Sequence, residues 1–301
     1  MRQRFRRTLA GVGVLLAAWA APVWRVHAAE TLQRIAETGT VNLGHRESSV
    51  PFSYYDSRRQ VIGYSHELML RVVDSIKSEL RLPALTIRLV PVTSQNRIPL
   101  VQNGSVDLEC GSTTHNAARD MQVAFSTSIF VIGTRLMTRR DSGIRDFADL
   151  PGRNVVVTAA TTSERLLRTL NERIGDKVVV VVAKDHGGAF ELLEAGKADA
   201  FMMDDALLYG ERSKAKRPDE WVVVGTPMSY EAYGCMMRRD DPSFKGAVDR
   251  ALTRLMQSGE ALSIYAKWFQ QPIPPNGVNL NWPPSEAVLQ LYQAPNDRPL
   301  E

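Results

Sequence analysis

A shift of 92 residues lays part of the chain over itself: Leu100 falls on Leu192, Gly104 on Gly196 and Asp107 on Asp199. Each copy reads helix, glycine stop, polar turn, strand. The polar residue ending the first strand, Ser112, falls on Asp204, and the one opening the first helix, Ser94, falls on His186. Shared α/β grammar could produce such coincidences by itself. If the repeat is real, the chain holds two similar α/β lobes, each with polar residues at strand C-terminal ends and helix N-termini. Open parallel sheets bind ligands at those edges, and two edges facing each other make a cleft.

The remaining pattern alternates strands and helices, as an α/β protein does. Strands are expected at 41–44, 85–92, 106–110 and 130–138, with helices at 64–80 and 94–102. The helix at 64–80 carries Leu68, Val72, Ile76 and Leu80 at spacing four, and Asn103-Gly104 stops the shorter one. The second set comprises strands at 154–158, 177–183 and 200–203 and helices at 161–174 and 186–195. The nearly pure valine run at 177–183 is the composition of a strand buried on both faces. Strands at 221–224 and 233–238 and a helical tail from 242 to 269 follow. The last thirty residues, rich in Pro and Asn, are expected to lie against the body without a core of their own.

At 301 residues the chain is long enough for two domains of about 100–200 residues each. Its formal charge of +4 invites a nucleic-acid or membrane-surface reading until the charge is located. Arg2, Arg4, Arg6 and Arg7 precede the apolar run Leu9 to Ala21, and small residues follow at Ala28-Ala29. That is the layout of a secretory signal peptide over residues 1–29, and 13 apolar residues are too few to span a bilayer comfortably. An uncleaved anchor is the alternative. Removing that leader takes away five Arg and no acid, leaving 32 basic against 33 acidic residues, net −1. The charge argument for nucleic acid leaves with it. An exported, soluble, periplasmic protein is expected. Cys110 and Cys235 could pair there, or could be two buried small hydrophobes; the sequence leaves both open.

The polar residues at the expected edges define what a cleft could hold. In the first half these are Arg46, Ser94, Arg97, Ser112, Thr114 and Arg119; in the second, Thr161, Thr162, His186 and Asp204. Three Arg beside helix N-termini favour a ligand with more than one carboxylate. Asp204 asks for a cation such as an ammonium group. An acidic amino acid meets both demands. Each residue alone has a plainer role: Arg46 and Arg97 as solvated surface groups, Ser112, Thr114, Thr162 and His186 as caps, and Asp204-Asp205 as the N-cap of a helix starting near Ala206. Only their joint placement favours binding. Counting three Arg against Asp204, with His186 neutral, gives the site +2.

Five stretches carry a resemblance to a family: Gly44 to Asp56 (GHRESSVPFSYYD), Thr93 to Leu100 (TSQNRIPL), Cys110 to Thr114 (CGSTT), Ala183 to Gly187 (AKDHG) and Phe201 to Asp205 (FMMDD). The chain resembles the periplasmic glutamate/aspartate-binding proteins of ABC transporters from about Thr31 to Asn296-Asp297. The resemblance implies a two-lobed α/β periplasmic binding protein fold of type II, its lobes joined by two crossover strands. Lobe 1 would be 30–132 and 234–301, and lobe 2 133–233, with the crossings near 132–135 and 231–234. It further implies that Arg119 clamps the ligand α-carboxylate with Thr114 and Thr162, and that Asp204 and Ser112 receive the α-ammonium. Arg46, Ser94, Arg97 and His186 would hold the side-chain carboxylate. Ala160 departs from the family, which usually has Gly before the paired Thr; Gly there allows close backbone approach or positive φ. His115 is another local difference, with no role assigned. The implied partners are L-glutamate or L-aspartate and the permease subunits of the transporter. The protein would act as a monomer, with no cofactor and no nucleic acid.

Two alternatives share the fold: an enzyme such as a dehydratase, and a soluble sensory partner of a receptor. The sequence lacks a Gly-x-Ser-x-Gly elbow. His66-Glu67 has no second His at the spacing a zinc site needs, and Gly11-Val12-Gly13 lies within the leader. Five scattered His and two Cys make no convincing metal set.

Overall fold

The computed structural model describes residues 30–300; the expected leader at 1–29 lies outside them. The first unit runs α1 (Thr31–Thr38), β1 (Thr40–His45), a small meander β2 (Ser48–Ser49), β3 (Ser53–Tyr55) and β4 (Val61–Ile62), then α2 (Tyr64–Glu79), β5 (Thr86–Pro91), α3 (Arg97–Gln102) and β6 (Leu108–Glu109). A short α4 (Ala117–Asp120) and β7 (Ala124–Phe125) lead into the long β8 (Phe130–Arg139). The second unit runs β9 (Asn154–Thr158), α5 (Thr162–Arg173), β10 (Val179–Ala183), α6 (His186–Glu194), β11 (Ala200–Asp204), α7 (Asp205–Lys214), β12 (Trp221–Val224) and β13 (Tyr230–Tyr233). The chain then returns through β14 (Met236–Met237), α8 (Pro242–Gln257), α9 (Glu260–Phe269), the hairpin β15 (Pro272–Ile273) and β16 (Val278–Asn279), and α10 (Glu286–Gln293).

The two main sheets have the same plan. One is ordered β5-β1-β6-β14-β7 and the other β10-β9-β11-β8-β12. In each, three strands run in parallel, their central strand being β1 or β9, and an antiparallel strand follows the third. The 92-residue offset has an atomic counterpart. Asp107 Oδ2 accepts from the Asn42 amide at 2.7 Å, and Asp199 Oδ2 accepts from the Asn154 amide at 2.7 Å. Both carboxylates tie the turn after a helix to the first residues of the central strand. Gly104 and Gly196, at φ 77° and 68°, close the two helices in the left-handed region where a side chain is disfavoured.

Several expected elements shift. The valine-rich strand β10 is an outer strand of its sheet, with Val179 57% and Val182 43% exposed, so it is not buried on both faces. The expected strand 233–238 is two strands, β13 and β14, parted at Gly234-Cys235. The helical tail breaks at Gly259 (φ 82°) into α8 and α9. Helix α3 begins at Arg97, because Thr93 and Asn96 bond each other's backbone amides through their side chains in a turn that carries Ser94.

The two units meet along β8, whose first residues pair antiparallel with β13, Gly133 opposite Tyr230 and Phe130 opposite Tyr233. A buried aromatic cluster grips that end: ring centroids of Phe52 lie 5.0 Å from Phe130 and 5.2 Å from Tyr233, and Phe130 lies 5.0 Å from Phe269. Burying each such side chain contributes about 1.5–3 kcal/mol. The Tyr64 hydroxyl adds a bond to the Ile129 carbonyl at 2.8 Å. The C-terminal segment does lie on this body, burying Val288, Leu291 and Tyr292 of α10.

Candidate functional site

The strand ends converge on one buried cluster. Arg46 follows β1, Ser112 and Thr114 follow β6, and Arg97 opens α3; all are buried, as are Ser94, Arg119, Thr162, His186 and Asp204. Arg46 Nη2 donates to Ser94 Oγ at 3.1 Å. Arg97 Nη1 donates to the Ser112 carbonyl at 3.1 Å and to Thr113 Oγ1, which in turn donates to Glu109 Oε2 at 2.9 Å. Gly111 permits this crowding, since a Cβ there would run into Glu109 Oε1 and lie 3.0 Å from Arg46 Cγ. Cys110 is joined to Cys235 by a disulfide, which ties the site turn after β6 to the chain leaving β13.

From the second unit, Thr161 caps α5 by accepting from the Glu164 amide at 3.1 Å. Ala160 occupies the left-handed region at φ 58°, where the resembled family usually has Gly. His186 stands at the first position of α6, with Nδ1 and Thr158 Oγ1 2.9 Å apart. Burial first, then Arg46 and Arg97, hold its pKa well below the usual value, so the ring is neutral. A Thr158 hydroxyl donating to Nδ1 leaves the imidazole proton on Nε2.

Five buried polar atoms in this cluster lack protein partners: Arg46 Nη1, Arg97 Nε, Ser112 Oγ, His186 Nε2 and the acceptor Glu109 Oε1. Buried donors in native proteins are almost always paired, and guanidinium nitrogens can only donate, so Arg46 Nη1 and Arg97 Nε mark a place for an acceptor. Burial lowers the pKa of Arg46 to about 10 and of Arg119 to about 9, which leaves both cationic at neutral pH.

Asp204 ends β11. Its Oδ1 accepts from Ser163 Oγ at 3.3 Å and its Oδ2 from the Tyr233 hydroxyl. Burial, then the charge of Glu231, outweigh those donors and push its pKa to about 8. An acid in that condition stands where a cation would be strongly stabilised. Asp204 is not a side-chain cap of α7.

Arg119 sits on α4, whose Asn116 cap accepts from its amide at 3.0 Å. Its guanidinium donates to the Thr114 carbonyl at 2.7 Å and reaches the Ala160 carbonyl at 3.5 Å, linking the two units. His115 supports this short helix, stacking on Phe125 at 4.4 Å and bonding Asp120 at 2.8 Å. Other cross-links are Ser48 Oγ to Asp185 Oδ1 at 3.3 Å and the Gly187 amide to Ser48 Oγ at 3.4 Å. A cavity of about 910 Å³ is bordered by Thr114, Arg119, Thr162 and Glu231, and Arg46, Ser94, Arg97, Ser112, His186 and Asp204 do not line it.

Sequence reasoning missed Glu109, Glu231 and Tyr233. The two glutamates are buried near the arginines and attract them, so the count of +2 leaves out two carboxyl groups: three Arg face Glu109, Glu231 and Asp204. No spacing flags a carboxylate inside a strand, and only the fold places these beside the cleft. Among the described residues no group of His, Cys, Asp and Glu is arranged to hold a metal, and no helix is long and apolar enough to cross a membrane.

Residues 41–271 match the bacterial extracellular solute-binding proteins, family 3. The L-glutamate/L-aspartate-binding protein of Pseudomonas aeruginosa is 54% identical over 299 residues, 99% of each chain. The glutamate/aspartate import solute-binding protein of Escherichia coli K12 is 53% identical over 273 residues, 91% of this chain and 90% of its own. A histidine-bound substrate-binding protein of an ABC uptake transporter from Streptococcus pneumoniae superposes with a TM-score of 0.72 at 18% identity, over 81% of this chain and 98% of that one. The two-lobed type II architecture is shared with it.

Proposed function

The chain belongs to family 3 of the bacterial extracellular solute-binding proteins, and from that membership we propose that it captures L-glutamate or L-aspartate and delivers it to an ABC permease for import. The observation that carries the ligand class is the pair of buried guanidinium donors without partners, Arg46 Nη1 and Arg97 Nε, beside His186 Nε2 and in the same cleft as an acid held near a pKa of 8. Anion donors at one end and a cation acceptor at the other fit a zwitterion with an extra carboxylate. The relatives at 53–54% identity carry the names of binding proteins, so the dehydratase and sensory readings lose their footing.

In this reading Arg46, Ser94, Arg97 and His186 hold the side-chain carboxylate. Arg119, flanked by Thr114 and Thr162, takes the α-carboxylate, and Asp204 with Ser112 takes the α-ammonium. Lobe 1 is 30–132 with 234–301, lobe 2 is 133–233, and the paired strands β8 and β13 are the hinge on which the lobes close. The protein works in the periplasm as a monomer after removal of residues 1–29. A hydrogen bond to a charged group contributes about 1.5–3 kcal/mol, so four or five reach the ~8 kcal/mol of micromolar binding after ordering costs.

Calorimetry tests the assignment. Wild type binds glutamate, Asp204→Ala binds none measurably, and Arg97→Ala weakens glutamate far more than a neutral amino acid. Truncating either partner leaves a buried charge unpaired, which makes the loss severe. Wild-type affinity in both variants overturns the site. Absence of compaction in small-angle scattering on adding saturating glutamate overturns the hinge.

A further inference from the structure

Thr114 and Thr162 come from opposite sides of the cleft, one in the turn after β6 and one in the first turn of α5. Their hydroxyls nevertheless reach the same atom. Thr114 Oγ1 donates to Glu231 Oε2 at 2.5 Å and Thr162 Oγ1 donates to it at 2.7 Å. Ser229 Oγ donates to the other carboxylate oxygen at 3.2 Å. Glu231 is buried in β13, on the segment that joins the two units, and borders the same cavity as both threonines.

A hydroxyl has one proton and two lone pairs, whereas an ionised carboxylate only accepts. Both threonine protons are therefore committed to Glu231. What Thr114 and Thr162 still offer a ligand is acceptor capacity alone. A ligand carboxylate has no proton to donate to them; an ammonium has three. We propose that Glu231 is a specificity-determining residue, which orients the Thr114 and Thr162 hydroxyls so that the site selects a dicarboxylate bearing an ammonium over the same dicarboxylate without one. The proposal rests on the acidic amino acid reading above and changes the part played by the two threonines, from donors to the α-carboxylate to acceptors from the α-ammonium. Arg119, which is attracted by Glu231 and bonded to the Thr114 carbonyl, remains the α-carboxylate's partner. The charge of Glu231 also opposes ionisation of Asp204, and an ammonium beside Asp204 offsets that opposition.

The test compares glutamate with glutarate, its analogue without the amine. Glutamate is titrated by calorimetry, and glutarate is read as displacement of bound glutamate, which registers even millimolar competitors. Thr162→Val removes the hydroxyl and keeps the shape. It is expected to weaken glutamate about tenfold or more, the scale of one charged hydrogen bond, and to weaken glutarate far less. Glu231→Gln is expected to lower the ratio of glutamate to glutarate affinity by about tenfold or more, by freeing a threonine proton and removing a negative charge. Equal losses for both ligands in Thr162→Val overturn the proposal, since a donor to the ligand carboxylate would be lost to both. Unchanged glutamate binding in Thr162→Val overturns it as well, as does an unchanged ratio in a folded Glu231→Gln. Should Glu231→Gln lose its melting transition, Thr162→Val decides alone. Failure of the wild type to bind glutamate overturns the functional reading instead.

Discussion

Asp204 is an acid placed where ionisation is costly. Its pKa, about 8, lies above the 3.8 of an ordinary aspartate, with burial as the larger cause and Glu231 the second. Between those two values the folded protein holds a proton that the unfolded chain has released. The contribution of Asp204 to stability is therefore fully present below the ordinary value and is lost as pH rises toward 8. In the proposed site ligand binding has the opposite sense, because an ammonium beside Asp204 would stabilise the carboxylate. Glutamate binding near neutral pH should therefore expel a proton. Its affinity should climb with pH until about 8 and level off above. Calorimetry in two buffers of different ionisation heat measures the proton count, and proton-neutral binding at pH 7 would contradict the assignment. His186 stays neutral and adds nothing to this profile at neutral pH. Asp204 and the three arginines were legible in the sequence because strand ends and helix starts have local signatures. Glu231 was not, since in Tyr230-Glu231-Ala232-Tyr233 it reads like any outward-facing strand residue.

At the scale of elements, the loop from β9 to α5 is the most informative departure. Ala160 holds the left-handed conformation at φ 58°, its amide donates to Glu164 Oε2 at 2.7 Å, and its carbonyl accepts from Arg119. The loop therefore keeps a backbone conformation suited to Gly without having Gly. An L-residue in that region costs about 1–2 kcal/mol, and Gly gives back about 0.4–1 kcal/mol through its freer unfolded chain. Ala160→Gly should raise the unfolding free energy by about 0.5–1 kcal/mol on these terms, measurable by chemical denaturation. A loss of stability would show that the Ala160 methyl has packing worth more than its strain. The repeat was legible because two Asp and two Gly do the same local work in each copy. The place of β10 at the outside of its sheet was not, because a valine run looks alike at a centre and at an edge. The break between β13 and β14 was hidden too, since Gly234 and Cys235 interrupt neither hydrophobicity nor period.

At the scale of the whole molecule, closure depends on how near the two units can come. Helix α7 packs on the segment after β2, and a Cβ on Gly210 would overlap the Val50 carbonyl oxygen. If that contact forms only on closing, Gly210→Ala blocks the last part of the motion. The substitution should then lower glutamate affinity about tenfold or more, while ligand-free stability holds or rises, since Ala in a helix interior is favoured over Gly by about 0.5–1 kcal/mol. A melting temperature that falls without ligand would place the contact in the permanent core.

The strand orders also set a sequence of events for a chain made from one end. The sheet around β1 takes its fourth strand, β14, from residues 236–237, after every strand of the other sheet has been made. Helices α8 and α9, which cover α2, come later still. The unit written first is thus the last to be completed, and its half of the cleft stays unfinished while the other half already has all its strands. A protein read as crossing a membrane behind a leader has, in this topology, a built-in delay. The sheet that leads into Arg46 and Ser112 gains its fourth strand only when residues 236–237 are through.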